Sequence, residues 1–283
     1  MTRTTRRVIF YLAFILFLGA GYVVLLYAQG YRYNFSDARF TRTGALSLRA
    51  NTQAQVLVNG VIKDNTSFIT NSSSVSGLLP GVYMLSVQKD GYSKWQKKVT
   101  IQEGFVQDFP HVMLLPTSGQ DHDNVVNEVT ALLYPPTPSP TPSPIAIPRA
   151  TKTPKPSPSP SPMPDTSAPY YIDGGTLYAQ SGLEDGAPVS IASSVSKVFQ
   201  SPDNQKIIWY SGAQIWVYWL SDQNEQPFHK QGDIAVIGRM SAPIKALAWF
   251  RDSDHLVVDT GVAIQGYKVL ELDTRGGQNI ISL

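Results

Sequence analysis

"LLPGVYMLSVQKDGYSKWQKKVTI", Leu78 to Ile101, decides how the first half of this chain folds. Pro80 presets φ and Gly81 can supply a positive φ, so the pair predicts a turn leading into a strand. Tyr83, Leu85 and Val87 then fall on one parity. Asp90-Gly91 turns the chain, and Trp95, Lys97, Val99 and Ile101 fall on one parity on the way back. A period of two marks half-buried strands, so the stretch is a β-hairpin. Trp95 carries two readings. Its ring can cover the hairpin face, with neighbouring lysine stems packed along it. Alternatively Tyr92, Lys94, Trp95 and Lys97 form a flat, partly exposed platform for sugar rings or a protein partner. These four are the candidate binding residues that the sequence offers.

The pattern extends in both directions. In "GALSLRANTQAQVLVNGVIKDN", Gly44 to Asn65, Leu46 and Leu48 share a parity, as do Val56 and Val58. Asn59-Gly60 suits a two-residue hairpin turn, both of whose central residues need φ > 0. A last strand is expected between Phe105 and Leu115, closing near Pro116. Six or seven short strands with frequent turns predict a β-sandwich over residues 44–116. The elements Gly44–Leu48, Val56–Gly60, Leu79–Leu85, Gly91–Trp95 and Leu114–Pro116 together resemble the PEGA domain. The chain departs from that family at Thr66-Ser67, where the family carries Thr-Pro, and it lacks the P-E-G-A tetrad itself. The resemblance implies an extracytoplasmic binding or spacer module with no catalytic residues.

Arg3, Arg6 and Arg7 precede a stretch with no charge from Val8 until Arg32. Its apolar part, Val8 to Tyr27, is about the 20 residues a helix needs to cross the hydrocarbon core. Tyr11, Tyr22 and Tyr27 stand towards its ends, where amphipathic rings favour the interface. The expectation is a cytoplasmic tail at 1–7, a transmembrane helix at 8–29 and an extracytoplasmic C-terminus, because clustered arginines stay inside. A tail that short cannot carry an output domain. The competing reading is a secretory signal peptide cleaved near Gly19-Ala20-Gly21, which leaves an apolar "YVVLLY" end.

Residues 117–169 read as a linker. Within it Val125, Val129, Leu132 and Leu133 have helical spacing, and Asp123 is placed to cap a short helix. Two thirds of the 21 prolines fall in the part from 135 onwards. Fixed φ and missing donors exclude helix and ladder there, so an extended spacer of about 3.1 Å per residue is expected.

Between residues 170 and 283 a pattern repeats. "VSKVFQSPDNQKIIWYSGAQIWVYWL" recurs about fifty residues later as "IKALAWFRDSDHLVVDTGVAIQGYKVLEL", with Phe199 set against Trp249, Ile207-Ile208 against Leu256-Val257, and Trp216–Leu220 against Lys268–Leu272. "YYIDGGTLYAQ" reads as the end of an earlier unit. Several strands per repeat suggest propeller blades, and "F-x-SPDN-x-x-I" with "IWVY" resembles the WD40-like repeats of TolB-type propellers. The resemblance implies a propeller-like unit, yet there is room for only two to three blades where four to eight usually close a ring. An open stack, completion by another chain, or truncation all fit, and open blade edges would permit oligomerisation.

Chemistry is sparse. The chain has no Cys, which removes disulfides and thiolate metal sites, and a net charge of +2, which gives no footprint for nucleic acid. His111, His122, His229 and His255 are not spaced as metal ligands. Asp121-His122-Asp123 reads as a solvated cap, and Asp252, Asp254 and His255 as turn residues. Neither a G-x-S-x-G nor a P-loop occurs. No cofactor is expected. The sequence therefore describes a mainly β, single-pass envelope protein that binds or scaffolds without catalysis. It would be held by residues 8–29 in the cell membrane and face a wall polysaccharide or an envelope protein. Two alternatives are an extracytoplasmic hydrolase using the C-terminal unit and a subunit whose partner completes the propeller.

Overall fold

A computed structural model describes residues 2–35, 37–136, 168–180, 187–262 and 266–283. Most of the proline-rich spacer expected from 135 lies outside the described residues. The chain is mainly β, built of several small sheets, and begins with one long apolar helix. It divides into two units. The first comprises residues up to Gly119 together with the distant segments Glu225–Pro227 and Asp273–Asn279, and the second comprises the remainder.

Helix α1 spans Arg3–Ala28, so the arginine-bearing tail expected to precede it is already helical from Arg3. Thr2 caps it, its hydroxyl accepting from the Thr5 amide at 3.3 Å. None of its residues is buried, and it is the one described helix long and apolar enough to cross a membrane. A hairpin follows at once, β1 (Tyr31–Asn34) against β2 (Arg39–Arg42), with Tyr33 opposite Phe40. The alternation in the sequence was too short to predict it.

Seven strands form the body of the first unit: β3 (Gly44–Ala50), β4 (Gln55–Val58), β5 (Val61–Asn65), β6 (Ser72–Leu78), β7 (Gly81–Gln88), β8 (Trp95–Ile101) and β9 (Val106–Val112). They make two sheets, ordered β6-β3-β9 and β5-β4-β7-β8. All pairings are antiparallel except β3 with β9, which is parallel. Leu46 and Leu48 of β3, Val56 and Val58 of β4, Leu85 and Val87 of β7, Trp95, Val99 and Ile101 of β8, and Phe109 of β9 share one core, so the sheets face each other. That is the two-layer arrangement that period-two patterning produces. Burying this much apolar surface supplies the main stabilisation of the unit. Asn59 and Gly60 both have positive φ, 52° and 79°, as the predicted turn requires. The expected positive φ at Gly81 is corrected: Gly81 is already in β7, opposite Ile101, and Gly77 carries the left-handed conformation at 75°. Gly44 is required for space, since a Cβ there would meet the Gln102 carbonyl oxygen at 2.5 Å.

The second unit contains helix α2 (Gly119–Leu133), which begins at its boundary, and three antiparallel sheets in chain order. Sheet I is β10 (Tyr170–Asp173), β11 (Thr176–Ala179) and β12 (Val189–Ala192). Sheet II is β13 (Phe199–Gln200), β14 (Lys206–Ser211), β15 (Gln214–Trp219) and β16 (Ile234–Arg239). Sheet III is β17 (Ala246–Trp249), β18 (His255–Asp259), β19 (Lys268–Glu271) and β20 (Ile280–Ser282). Each runs up and down between neighbours. Alternate residues of sheet II serve two cores: Ile207 and Trp209 join Leu177 of sheet I, while Ile208, Ile215 and Val217 join Leu247, Leu256 and Leu270 of sheet III. The sheets are therefore stacked I, II, III. No closed propeller is formed among the described residues.

Helix α2 buries Val125, Val129 and Leu133, three of the four residues its spacing marked, while Leu132 stays exposed. It begins at Gly119, so Asp123 lies inside it and does not cap it. Glu128 pairs with Arg251, Thr130 bonds Tyr267, and the Tyr134 hydroxyl donates to Asp259. Asp259 has the parity of Val257, opposite to the residues facing sheet II, so α2 covers the far side of sheet III.

Candidate functional site

The hairpin that raised the platform reading is β7–β8, and it turns two of the four platform residues inward. In β8 the burial alternates strictly from Trp95 to Ile101. Trp95 is 1% exposed and meets Phe109 edge-on at 5.4 Å. Lys97 is also 1% exposed, opposite Leu85 on the core side. The partly exposed platform is thus corrected for Trp95 and Lys97: residues of one parity share one face, and that face is the core. Lys94 is exposed, and Tyr92 is half-buried with the Lys89 ammonium 4.2 Å above its ring.

A lysine inside a sandwich needs partners. Lys97 Nζ donates to the Asp273 carbonyl oxygen and stands 3.6 Å from the Asp273 carboxylate. Arg275 grips the same carboxylate, at 3.0 Å from Nε and 2.7 Å from Nη2, and it lies 4.7 Å above the Phe109 ring. Its Nη1 donates to Gln226 at 2.8 Å and its Nη2 to the Asp108 carbonyl at 2.8 Å. Burial pushes the Asp273 carboxyl up, but the hydrogen bonds and charge of Arg275 and the charge of Lys97 outweigh it, and the group is held below its usual range. Gln226 bonds both the Asp108 amide and the Val106 carbonyl, and the Lys98 amide donates to Gly276. The segments 225–227 and 273–279 thereby occupy the strand edges of β9 and β8, which would otherwise present unpaired backbone groups. Residue type alone did not reveal this cluster, because its members lie far apart in sequence.

The open polar surface of the first unit lies elsewhere. Asn65 of β5, Gln55 of β4 and Gln88 of β7 stand opposite one another across three adjacent strands. With Gln53, Lys89 and Asp90 they line a groove of about 450 Å³. Amide side chains offer both donors and acceptors, the chemistry that matches hydroxyl-rich ligands. Tyr92, stacked under Lys89, is the platform residue that the structure places near this groove, since Lys89 also lines it.

In the second unit the repeat gathers its polar residues at two equivalent turns. Ser201 to Lys206 links β13 and β14, and Phe250 to His255 links β17 and β18, each closed by a backbone bond between first and last residue. The turns align Ser201 with Phe250 and Lys206 with His255. Trp249 therefore matches Gln200, one place from the Phe199 expected, whereas the alignments at Ile207-Ile208 and Leu220 hold. Asp203 and Asp252 take the same position. Asp252 receives the buried His255 ring at 2.8 Å. Lys206, 3% exposed, lies 3.6 Å from Asp203 and 3.2 Å from Asp254 of the neighbouring turn. The Asp203 amide donates to Ser253 at 3.0 Å and Trp249 Nε1 to the Phe199 carbonyl at 3.1 Å, so the turns sew sheet II to sheet III. Burial raises the Asp203 carboxyl, but hydrogen bonds from Ser201, Gln205 and Ser253 and the Lys206 charge win and lower it. Among the described residues no group of three or more His, Asp or Glu is placed to hold a metal. No protein-family model matches the chain, and a search of curated proteins finds no match.

Proposed function

We propose that the chain is a non-enzymatic binding or scaffold protein of the cell envelope, held by α1 in the membrane with its β units outside. The observation that carries this is α1 itself: 26 residues, no charged side chain from Val8 to its end at Ala28, and no buried position to mark it as a core helix. The order of strands and turns from Gly44 to Pro116, together with its resemblance to the PEGA domain, supports a spacer or binding module next to the anchor. The engagement of Asp203, Asp252 and Asp254 with backbone, Lys206 and His255 supports a structural use of the acidic residues in the second unit. The ligand we assign to the amide groove is a wall polysaccharide, on the strength of the Asn65–Gln55–Gln88 row. The test is co-sedimentation of the full chain in mild detergent with insoluble cell-wall polysaccharide. Retention that falls several-fold in Gln55→Ala/Gln88→Ala is expected, and equal retention of both proteins would remove the groove from the proposal.

A second reading has its own observation. Sheets I to III pack in chain order through shared cores, and among the described residues the side-chain bonds of α2 and its C-terminal Tyr134 go to the sheet III end. The other side of sheet I carries Tyr171 and Tyr178, stacked at 5.2 Å. This favours a TolB-like partial propeller that a partner chain extends at sheet I.

A further inference from the structure

We propose that the hairpin β1–β2 is a second membrane contact, lying in the lipid headgroup layer beside the end of α1; this rests on the reading of α1 as the anchor. The geometry allows little else. Twenty apolar residues from Val8 to Tyr27 rise roughly 30 Å, which matches the hydrocarbon core. Gln29 and Gly30 alone separate α1 from β1, three steps of at most about 11 Å in all, and the link is shorter than that because the Gln29 and Gly30 amides fold back onto the Leu25 and Tyr27 carbonyls at 3.0 and 3.1 Å. The headgroup layer outside the core is itself about 5–7 Å deep. Tyr31 therefore starts inside or against that layer. Thr43 returns to the same point, its amide and hydroxyl donating to the Gly30 carbonyl at 2.9 and 2.8 Å.

The hairpin also turns towards α1. Phe40, at mid-strand, lies 6.3 Å from Tyr27 in the last turn of α1, and the Arg32 guanidinium sits 4.6 Å over the Tyr27 ring. A continuous aromatic row runs outward from there: Phe40 to Tyr33 at 5.4 Å, and Tyr33 to Phe35 at 5.0 Å. Phe35, at the tip, is 88% exposed. A solitary two-stranded hairpin is marginal in water, and β1–β2 has no third strand among the described residues. Amphipathic aromatics at the bilayer interface supply the missing burial. The same sixteen residues from Ala28 to Thr43 hold three arginines against one aspartate. The Arg39 side chain is 70% exposed, and guanidinium forks suit lipid phosphate.

Because the chain has no Cys, a single introduced thiol can carry a nitroxide at a chosen site. The full chain would be reconstituted in phosphatidylcholine–phosphatidylglycerol vesicles with the label at Ala38→Cys on the hairpin, Leu16→Cys in α1, or Ile69→Cys on the sandwich. Relative access to oxygen and to a water-soluble nickel chelate reports depth. The expected oxygen-to-nickel ratio is highest at 16, several-fold above water at 38, and water-like at 69. In the Phe35→Ser background the ratio at 38 falls towards that at 69. A lipid-like 16 with a water-like 38 overturns the hairpin contact alone. A water-like value at both positions overturns the anchor reading with it.

Discussion

Lys97 shows how far one residue's parity can be trusted. The alternation Trp95, Lys97, Val99, Ile101 places it on the core face, where its ammonium meets the Asp273 carboxylate that Arg275 also holds. Replacing Lys97 by Met keeps the stem but leaves the Asp273 carbonyl and carboxylate short of a cation. Loss of one partner of a buried pair costs about 3–5 kcal/mol, and the surviving Arg275 fork keeps Lys97→Met near the lower figure, read from urea unfolding. Trp95→Ala should cost about 3–5 kcal/mol as a large core truncation, whereas the exposed Lys94→Ala should stay within about 0.5 kcal/mol. Equal, negligible effects at 94 and 95 would restore the surface platform. Asp273 adds a pH signature. Its folded pKa lies below the ordinary 3.8, so its contribution is complete above that value and is lost as pH falls through the folded one. Below about pH 4 the wild type should therefore lose stability more steeply than Asp273→Asn, in urea midpoints followed from pH 6 to 2. The sequence set Lys97 on one parity with Trp95, Val99 and Ile101 but did not say whether that face was core or platform. Its partner was not legible either, because Asp273 lies 176 positions away and nothing in local patterning links the two.

At the scale of elements, signals with a strong period or special backbone chemistry were readable. The β4–β5 turn at Asn59-Gly60 is one: both residues are left-handed, and Asn59 also accepts the Met84 amide at 2.8 Å. Gly60→Val should destabilise the first unit by about 1–2 kcal/mol, because a β-branched residue resists φ > 0. Thermal unfolding of the variant checks this. Strand β6, "SSSVSGL", was not readable, since serine gives no apolar alternation and its place is fixed by pairing with β3. Helix α2 was readable from Val125, Val129 and Leu133 but not its start, which Gly119 sets before the apolar stripe begins. Its hold on sheet III has an optical test. The hydrogen bond to Asp259, with lesser contributions from burial and charge, pushes the Tyr134 hydroxyl up to about 12. A raised pKa means the bond persists through the usual tyrosine range and fails only as pH approaches the folded value. At pH 11 the tyrosinate absorbance of Asp259→Asn should exceed that of wild type by about 0.8 of one tyrosine, and the excess should vanish in Tyr134→Phe/Asp259→Asn.

For the whole molecule, the arrangement of charge around α1 bears on which side of the membrane the β units occupy. Arg3, Arg6 and Arg7 lie within five residues at one end, and Arg32, Arg39 and Arg42 follow the other. The numbers are equal, but their states differ. Arg32 is committed to the Tyr27 carbonyl and ring, Arg39 lies 3.9 Å from Asp37, and Arg42 has the Glu103 carboxylate on its own amide at 3.2 Å, while the first three sit in the first turns of the helix with no acidic residue beside them. The uncompensated cluster should stay cytoplasmic. With a thiol-free chain, impermeant maleimide should label Ile69→Cys and Asn224→Cys on intact cells, and Thr4→Cys only after permeabilisation. Labelling in the opposite sense would put both β units in the cytosol and end the envelope proposal. The same experiment separates an anchor from a cleaved leader. Cutting at Gly19-Ala20-Gly21 removes about 20 residues, the length of a signal peptide, and the Thr4 label with them. Retention of the Thr4 label on a chain of 31.1 kDa is the expected result, because α1 continues unbroken through those three residues into the aromatic turn that holds β1–β2.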